Sequence, residues 1–209
     1  MGQAEIISKL KERAIVVVIR GESKEEGVKC ALACISGGIK AIEVAYTNKH
    51  ASHIISDLAS DIHLEDVLVG AGTVLDSITA REAILAGAQY IVSPSFSEQV
   101  AQICHLYAIP YIPGCMTLTE MTTALASGCD MVKLFPASSF GPKYIAAVKA
   151  PLPQISLMVT GGVNVANAQE WFDAGATAIG IGGEFNQLAS QGAFDQISEM
   201  AAQYTALRK

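Results

Sequence analysis

Eight short apolar runs recur along the chain at intervals of about 20–26 residues, which leaves room for a loop and a helix between successive strands. The runs are 14–19, 39–45, 67–70, 89–93, 109–112, 130–134, 155–159 and 177–181. Gly37-Gly38-Ile39, Ala86-Gly87-Ala88, Ser127-Gly128-Cys129 and Ala174-Gly175-Ala176 stand just before four of them. Glycine just past the last helical residue is the usual C-terminal signal, so each of these marks a helix handing over to a strand. Near-continuous apolar strands covered by helices imply a parallel sheet. Eight such units close into a single-domain α/β fold, the (β/α)8 TIM barrel. The competing architecture, a doubly wound open sheet, lacks its Gly-x-Gly-x-x-Gly after the first run. Residues 1–13 have the spacing of a short amphipathic helix and residues 194–209 that of a closing one. Pro142 is placed to start a third.

Composition narrows the setting. With 209 residues, 51% hydrophobic and only 16% charged, the chain suits one well-packed domain with little disorder. No apolar run approaches the ~20 residues that span a bilayer, and the N-terminus lacks the apolar block of a signal peptide. No membrane partner and a cytoplasmic location are therefore expected. A net charge of −6 without a basic cluster argues against nucleic acid. Cys30, Cys34, Cys104, Cys115 and Cys129 have no C-x-x-C spacing and read as reduced core residues. His50 and His53 would share a helix face, but no carboxylate or cysteine at motif spacing completes a metal site. Neither metal nor cofactor is expected.

In this fold the residues that do chemistry sit at the C-terminal ends of the strands. Read there in order, the sequence offers Arg20, Glu43, Gly70-Ala71-Gly72-Thr73, Ser93-Pro94 and Pro113-Gly114. Lys133 with Phe135, Thr160-Gly161-Gly162 and Gly182-Gly183-Glu184 complete the series. Alternation along a strand puts Met131, Lys133 and Phe135 on one face, and lets Glu43 point inward with Ala41 and Ala45. An ammonium among apolar residues is costly to desolvate, and a lysine that is neutral part of the time attacks carbonyls to form an imine. The alternative is a lysine that reaches water at the strand end. With Glu43 moving protons, and Arg20 and Thr73 holding a carboxylate, the three charged groups would serve an imine-forming enzyme acting on a keto acid. The competing reading of Arg20 and Glu43 is a structural ion pair. Gly161-Gly162 and Gly182-Gly183 stand where this fold often cradles phosphate on bare N–H groups, although glycine pairs also serve as plain tight turns.

These residues, in this order, resemble the class I aldolases that cleave 2-keto-3-deoxy-6-phosphogluconate, a family that includes 4-hydroxy-2-oxoglutarate aldolases. The matching stretches are Ile42-Glu43-Val44, Val69 to Leu75, Ile91-Val92-Ser93-Pro94, Ile112-Pro113-Gly114, Val132 to Ala137 and Thr160-Gly161-Gly162-Val163. The resemblance implies a metal-free homotrimer that releases pyruvate and an aldehyde, glyceraldehyde 3-phosphate in the leading case. Lys133 matches the Schiff-base lysine, Glu43 the general acid/base and Thr73 a pyruvate contact. Pro94 and Phe135 match pocket-shaping residues, and Gly161, Gly162, Gly182 and Gly183 the phosphate-side loops. Two positions depart from the family pattern. Thr47 stands where the motif Glu-Val-Thr-Leu-Arg-Thr has its carboxylate-binding arginine, a charge that Arg20 is expected to supply instead. Glu184 stands where a serine is usual beside the phosphate. A carboxylate beside a dianion is unfavourable unless it is protonated, turned away or paired. An aldolase of 4-hydroxy-2-oxoglutarate or of an unphosphorylated keto sugar acid is the second reading. A phosphosugar isomerase, decarboxylase or silent binding barrel is the third.

Overall fold

The computed structural model describes residues 2–207. Among them, nine strand segments form one parallel sheet: β1 (Ile15–Ile19), β2 (Ala41–Ala45), β3 (Leu68–Gly72), β4 (Ile91–Val92), β5 (Tyr111–Ile112), β6 (Gly114–Cys115), β7 (Val132–Leu134), β8 (Leu157–Thr160) and β9 (Ala178–Ile181). The helices between them are α1 (Gln3–Arg13), α2 (Lys24–Ser36), α3 (Ala51–Ser60), α4 (Ser77–Leu85), α5 (Glu98–Leu106), α6 (Leu118–Ala126), α7 (Lys143–Lys149), α8 (Ala168–Asp173), α9 (Gly183–Ser190) and α10 (Phe194–Ala206). The ladder runs β5-β4-β3-β2-β1-β9-β8-β7-β6. Its two ends, β5 and β6, are halves of one extended stretch broken at Pro113, which has no N–H to donate. The Pro113 carbonyl still accepts from Lys133 N–H at 2.8 Å, so the sheet closes on itself as the expected eight-unit barrel.

Each expected run contains a strand, the fourth and fifth reduced to two residues each, Ile91–Val92 and Tyr111–Ile112. The helix expected over residues 1–13 is α1 and the closing helix is α10, with Met1, Arg208 and Lys209 outside the described residues. The glycine signals mark real helix ends: Gly38, Gly87, Gly128 and Gly175 follow α2, α4, α6 and α8 with φ of 98°, 104°, 87° and 101°. Ala14 and Ala108 take the same left-handed conformation after α1 and α5, where no glycine announces it.

Alternation along the strands divides the core in two. Ile42, Val44 and Leu134 face the helices, where the five cysteines also lie buried and free. The inward residues fill the barrel axis, among them Val16, Leu68, Tyr90, Met131 and Met158. Ile6, Ile7 and Leu10 of α1 join this inner cluster, so the N-terminal helix plugs the end of the barrel where the strands begin. Arg13 fixes the plug by donating to the Lys40 carbonyl at 2.7 Å and pairing with Asp66 at 3.0 Å. With one end stoppered, the opposite mouth is the open one. Among the described residues no helix is long and apolar enough to cross a membrane.

Leu10 is fully enclosed at the centre of the plug. Leu10→Ala should lower the unfolding free energy by about 2–5 kcal/mol, the usual range for a leucine deleted from a packed core. Urea denaturation reads this as a lower midpoint at unchanged slope. An unchanged midpoint would show that α1 lies outside the cooperative core.

Candidate active site

The open mouth is lined by what the strands project inward. β7 holds Lys133 in register with Gly114 of β6 and Met158 of β8. β2 holds Glu43 in register with Val18 and Gly70. Their side chains meet inside the barrel, Lys133 Nζ lying 3.5 Å from Glu43 Oε1, and the two residues are 6% and 0% exposed. That separation is longer than a well-formed charge-assisted hydrogen bond. Neither Glu43 oxygen has a hydrogen-bond partner among the described residues, nor does the buried Thr160 hydroxyl. Polar atoms so placed are normally satisfied, and here they remain able to accept from a substrate or water. Lys133 Nζ also lies 5.2 Å from the centre of the Phe135 ring, within reach of its negative face.

Space for these groups comes from glycines in neighbouring strands. A methyl group on Gly72 would overlap the Glu43 carboxylate, and one on Gly180 would overlap the Thr160 hydroxyl. Gly70 admits the ring of Tyr90, whose hydroxyl donates to the Ile42 carbonyl at 2.7 Å and braces the strand that carries Glu43. Gly114 lets its strand lie against the Pro94 carbonyl.

Arg20 leaves the end of β1 at the rim. Its backbone is gripped on both sides: the N–H donates to Asn186 Oδ1 and the carbonyl accepts from Asn48 Nδ2, each at 2.7 Å. Asn186 also donates to the Val18 carbonyl at 2.8 Å, and Asn48 Oδ1 accepts from His50 N–H at 2.8 Å. The guanidinium reaches Thr47, Nη1 lying 3.4 Å from Oγ1. Glu43 has no ion pair with Arg20 among the described residues, because its partner is Lys133. Thr73 stands just past β3, half-buried, with φ of 57°, a left-handed conformation that is uncommon for threonine and stores local strain.

A cleft of ≈ 420 Å³ opens from Phe135 and Thr160 across Gly161, Gly162, Gly182 and Gly183 to Glu184, with Arg20 on its wall. A larger open groove of ≈ 570 Å³ beside Gln3, His105 and Asp130 lies at the plugged end, away from Lys133. The pair Gly161-Gly162 is a true turn, both residues having positive φ. Gly182-Gly183 is not. Gly183 opens α9, a short helix that no cap in the sequence announces. Tyr204 of α10 donates to Glu184 Oε2 at 3.3 Å. Burial, together with that carboxylate, pushes the Tyr204 phenol above its ordinary range and keeps it a donor.

The family model for KDPG and KHG aldolase matches residues 6–200. The chain belongs to this family. It is 34% identical to 2-dehydro-3-deoxy-6-phosphogalactonate aldolase of Escherichia coli (strain K12) over 81% of this chain and 83% of that protein. It is 33% identical to 2-dehydro-3-deoxy-phosphogluconate aldolase of Treponema pallidum (strain Nichols) over 95% of each. Among solved structures, KDPG aldolase from Legionella pneumophila, with pyruvate captured at low pH as a covalent carbinolamine intermediate, superposes with a TM-score of 0.84 at 25% identity. The superposition covers 93% of this chain and 96% of that one. KDPG and KHG aldolases are lyases, and an amine beside a carboxylate at the mouth of a barrel suits carbon–carbon lysis through an imine. Sequence reasoning missed Asn48, Asn186, Tyr90 and Tyr204, which touch the site only through contacts made by folding.

Proposed function

We propose that the protein is a class I aldolase that reversibly cleaves a 2-keto-3-deoxy sugar acid to pyruvate and an aldehyde through an imine on Lys133. The observation that carries this reading is the buried Lys133–Glu43 pair, 3.5 Å apart at the only unplugged end of the barrel among the described residues. Glu43 takes the proton that Lys133 must lose before it attacks the C2 ketone. The carbinolamine then loses water, assisted by Glu43, to give a protonated imine. Glu43 next removes the proton from the C4 hydroxyl. As the C4 carbonyl forms, the C3–C4 bond breaks and its electron pair moves into the imine as an enamine. After the aldehyde departs, the protonated Glu43 returns a proton to C3, and hydrolysis frees pyruvate and Lys133. The carbinolamine with pyruvate in the Legionella enzyme is an intermediate of the kind this sequence requires.

Arg20 is the group we assign to the substrate carboxylate. It is the charged donor on the cleft wall, its backbone is held by two asparagines, and its guanidinium lies against Thr47, where the family motif has arginine. Thr73 adds a donor at the end of β3, Pro94 and Phe135 shape the pocket, and Thr160 with the four glycines forms the side toward the aldehyde. The aldehyde half stays between glyceraldehyde 3-phosphate, a shorter oxo acid and an unphosphorylated sugar fragment.

Oligomerisation through other copies of this chain has its own support. Leu75, Ile78 and Leu85 on and before α4, Leu106 on α5, and Met116 and Leu118 at α6 are all exposed, Ile78 to 81% and Leu106 to 73%. A groove lined by Ser77, Ile103 and Leu106 joins α4 to α5. Apolar surface concentrated on one side of a barrel marks an interaction site, and we assign it to a homotrimer.

Incubation with pyruvate and sodium borohydride should leave a reduced adduct on the peptide that contains Lys133, seen by mass spectrometry, and Lys133→Met should abolish it. No adduct on folded protein removes the imine mechanism. Arg20→Ala should weaken pyruvate binding by about 10–100-fold, the size of a charge-assisted hydrogen bond, with circular dichroism unchanged. Unaltered affinity would move the carboxylate elsewhere. Sedimentation equilibrium should give three times the chain mass of 21.9 kDa, falling toward the monomer with Ile78→Asp. A monomeric wild type would refute the trimer.

A further inference from the structure

The glycine-lined side of the cleft ends in a carboxylate. Arg20 and Glu184 are the charged side chains among the residues that line it, so their charges cancel and leave no net attraction for a dianion. Glu184 stands in the first turn of α9, where the partial positive charge of the helix N-terminus already faces an anion of the chain itself. The Tyr204 hydroxyl holds that carboxylate at the cleft. Thr160, buried and without a hydrogen-bond partner, lines the same space with a hydroxyl that both donates and accepts. A carboxylate and a threonine hydroxyl together suit sugar hydroxyls. A phosphate ester, carrying about −1.5 to −2 charge at neutral pH, is repelled by Glu184 and has little hydrogen to offer it.

We propose that Glu184 is a specificity-determining residue that selects a neutral, hydroxyl-bearing distal end, making the substrate class the unphosphorylated 2-keto-3-deoxy sugar acids. The inference rests on the aldolase reading of Lys133. The bond broken and the proton transfers are the same, and the second product is an unphosphorylated aldehyde such as glyceraldehyde. The relatives named above are described as acting on phosphorylated acids, so on this proposal the chain parts from them in the distal group it accepts and not in its reaction.

Wild type, Glu184→Gln and Glu184→Ser are compared in the condensation of pyruvate with glyceraldehyde and with glyceraldehyde 3-phosphate, with borohydride trapping of pyruvate on the wild type alongside. The wild type should show the higher kcat/KM with glyceraldehyde. Both variants should swing the ratio toward the phosphorylated aldehyde by about tenfold or more, chiefly through its KM. The swing in Glu184→Gln, which keeps the side chain's shape, assigns the effect to charge. Wild-type preference for the phosphorylated aldehyde overturns the proposal whatever the variants do, and so does a ratio that neither variant changes. If pyruvate is trapped in those cases, the aldolase reading survives. If the wild type traps no pyruvate, both fall.

Discussion

An ammonium and a carboxylate held 3.5 Å apart inside an apolar barrel are the constraint on which the rest of this structure turns. Removing two charges from water is unfavourable by several kcal/mol each, and a loose pair does not recover it fully. The fold tolerates them because everything around them is over-determined. Each sits on a strand hydrogen-bonded on both sides, the far end of the barrel is stoppered by α1, and Tyr90 braces the strand of Glu43. Such a pair is poor evidence for stability. It makes sense as a group kept ready to exchange its partner for a substrate.

Packing supplies the room. Where Glu43, Thr160 and Tyr90 point inward, the adjacent strand presents Gly72, Gly180 or Gly70. Large and small residues thus alternate around the barrel, and the small ones are glycine because even a methyl group would meet the functional atom. The glycines at the strand ends therefore act mainly by occupying no volume. Left-handed backbone is needed at Gly161 and Gly162, where the chain turns along the cleft.

Much of this was legible before folding, and the division has a physical basis. The eight strands, the inward direction of Lys133 and Glu43, and the helix ends at Gly38, Gly87, Gly128 and Gly175 follow from local periodicity and the φ preference of glycine. What depended on distance was not legible. Asn48, in the loop after β2, and Asn186, in α9, hold the Arg20 backbone from its two sides, and nothing in either neighbourhood marks them. The tyrosine partner of Glu184 lies 20 residues further on, in the last helix. Ala14, Thr73 and Ala108 take a left-handed conformation that their residue types do not announce, Ala14 and Ala108 just past the ends of α1 and α5. Helix α9 escaped notice because it opens on Gly182-Gly183, which reads as a turn and has no capping side chain.

The two halves of the site also rest on different kinds of structure. Lys133 and Glu43 are strand residues whose positions follow from the ladder, and moving either requires a change of register that would turn every other side chain of the strand. Arg20, Thr47 and Glu184 lie at a strand exit, in a loop and in the first turn of a short helix, where one substitution alters charge without disturbing the sheet. The two positions that the sequence reading sets apart from the family pattern, Thr47 and Glu184, fall in this second group, and Lys133 and Glu43 in the first. A barrel built this way can change the charge of its rim while the buried amine and carboxylate stay where the sheet puts them.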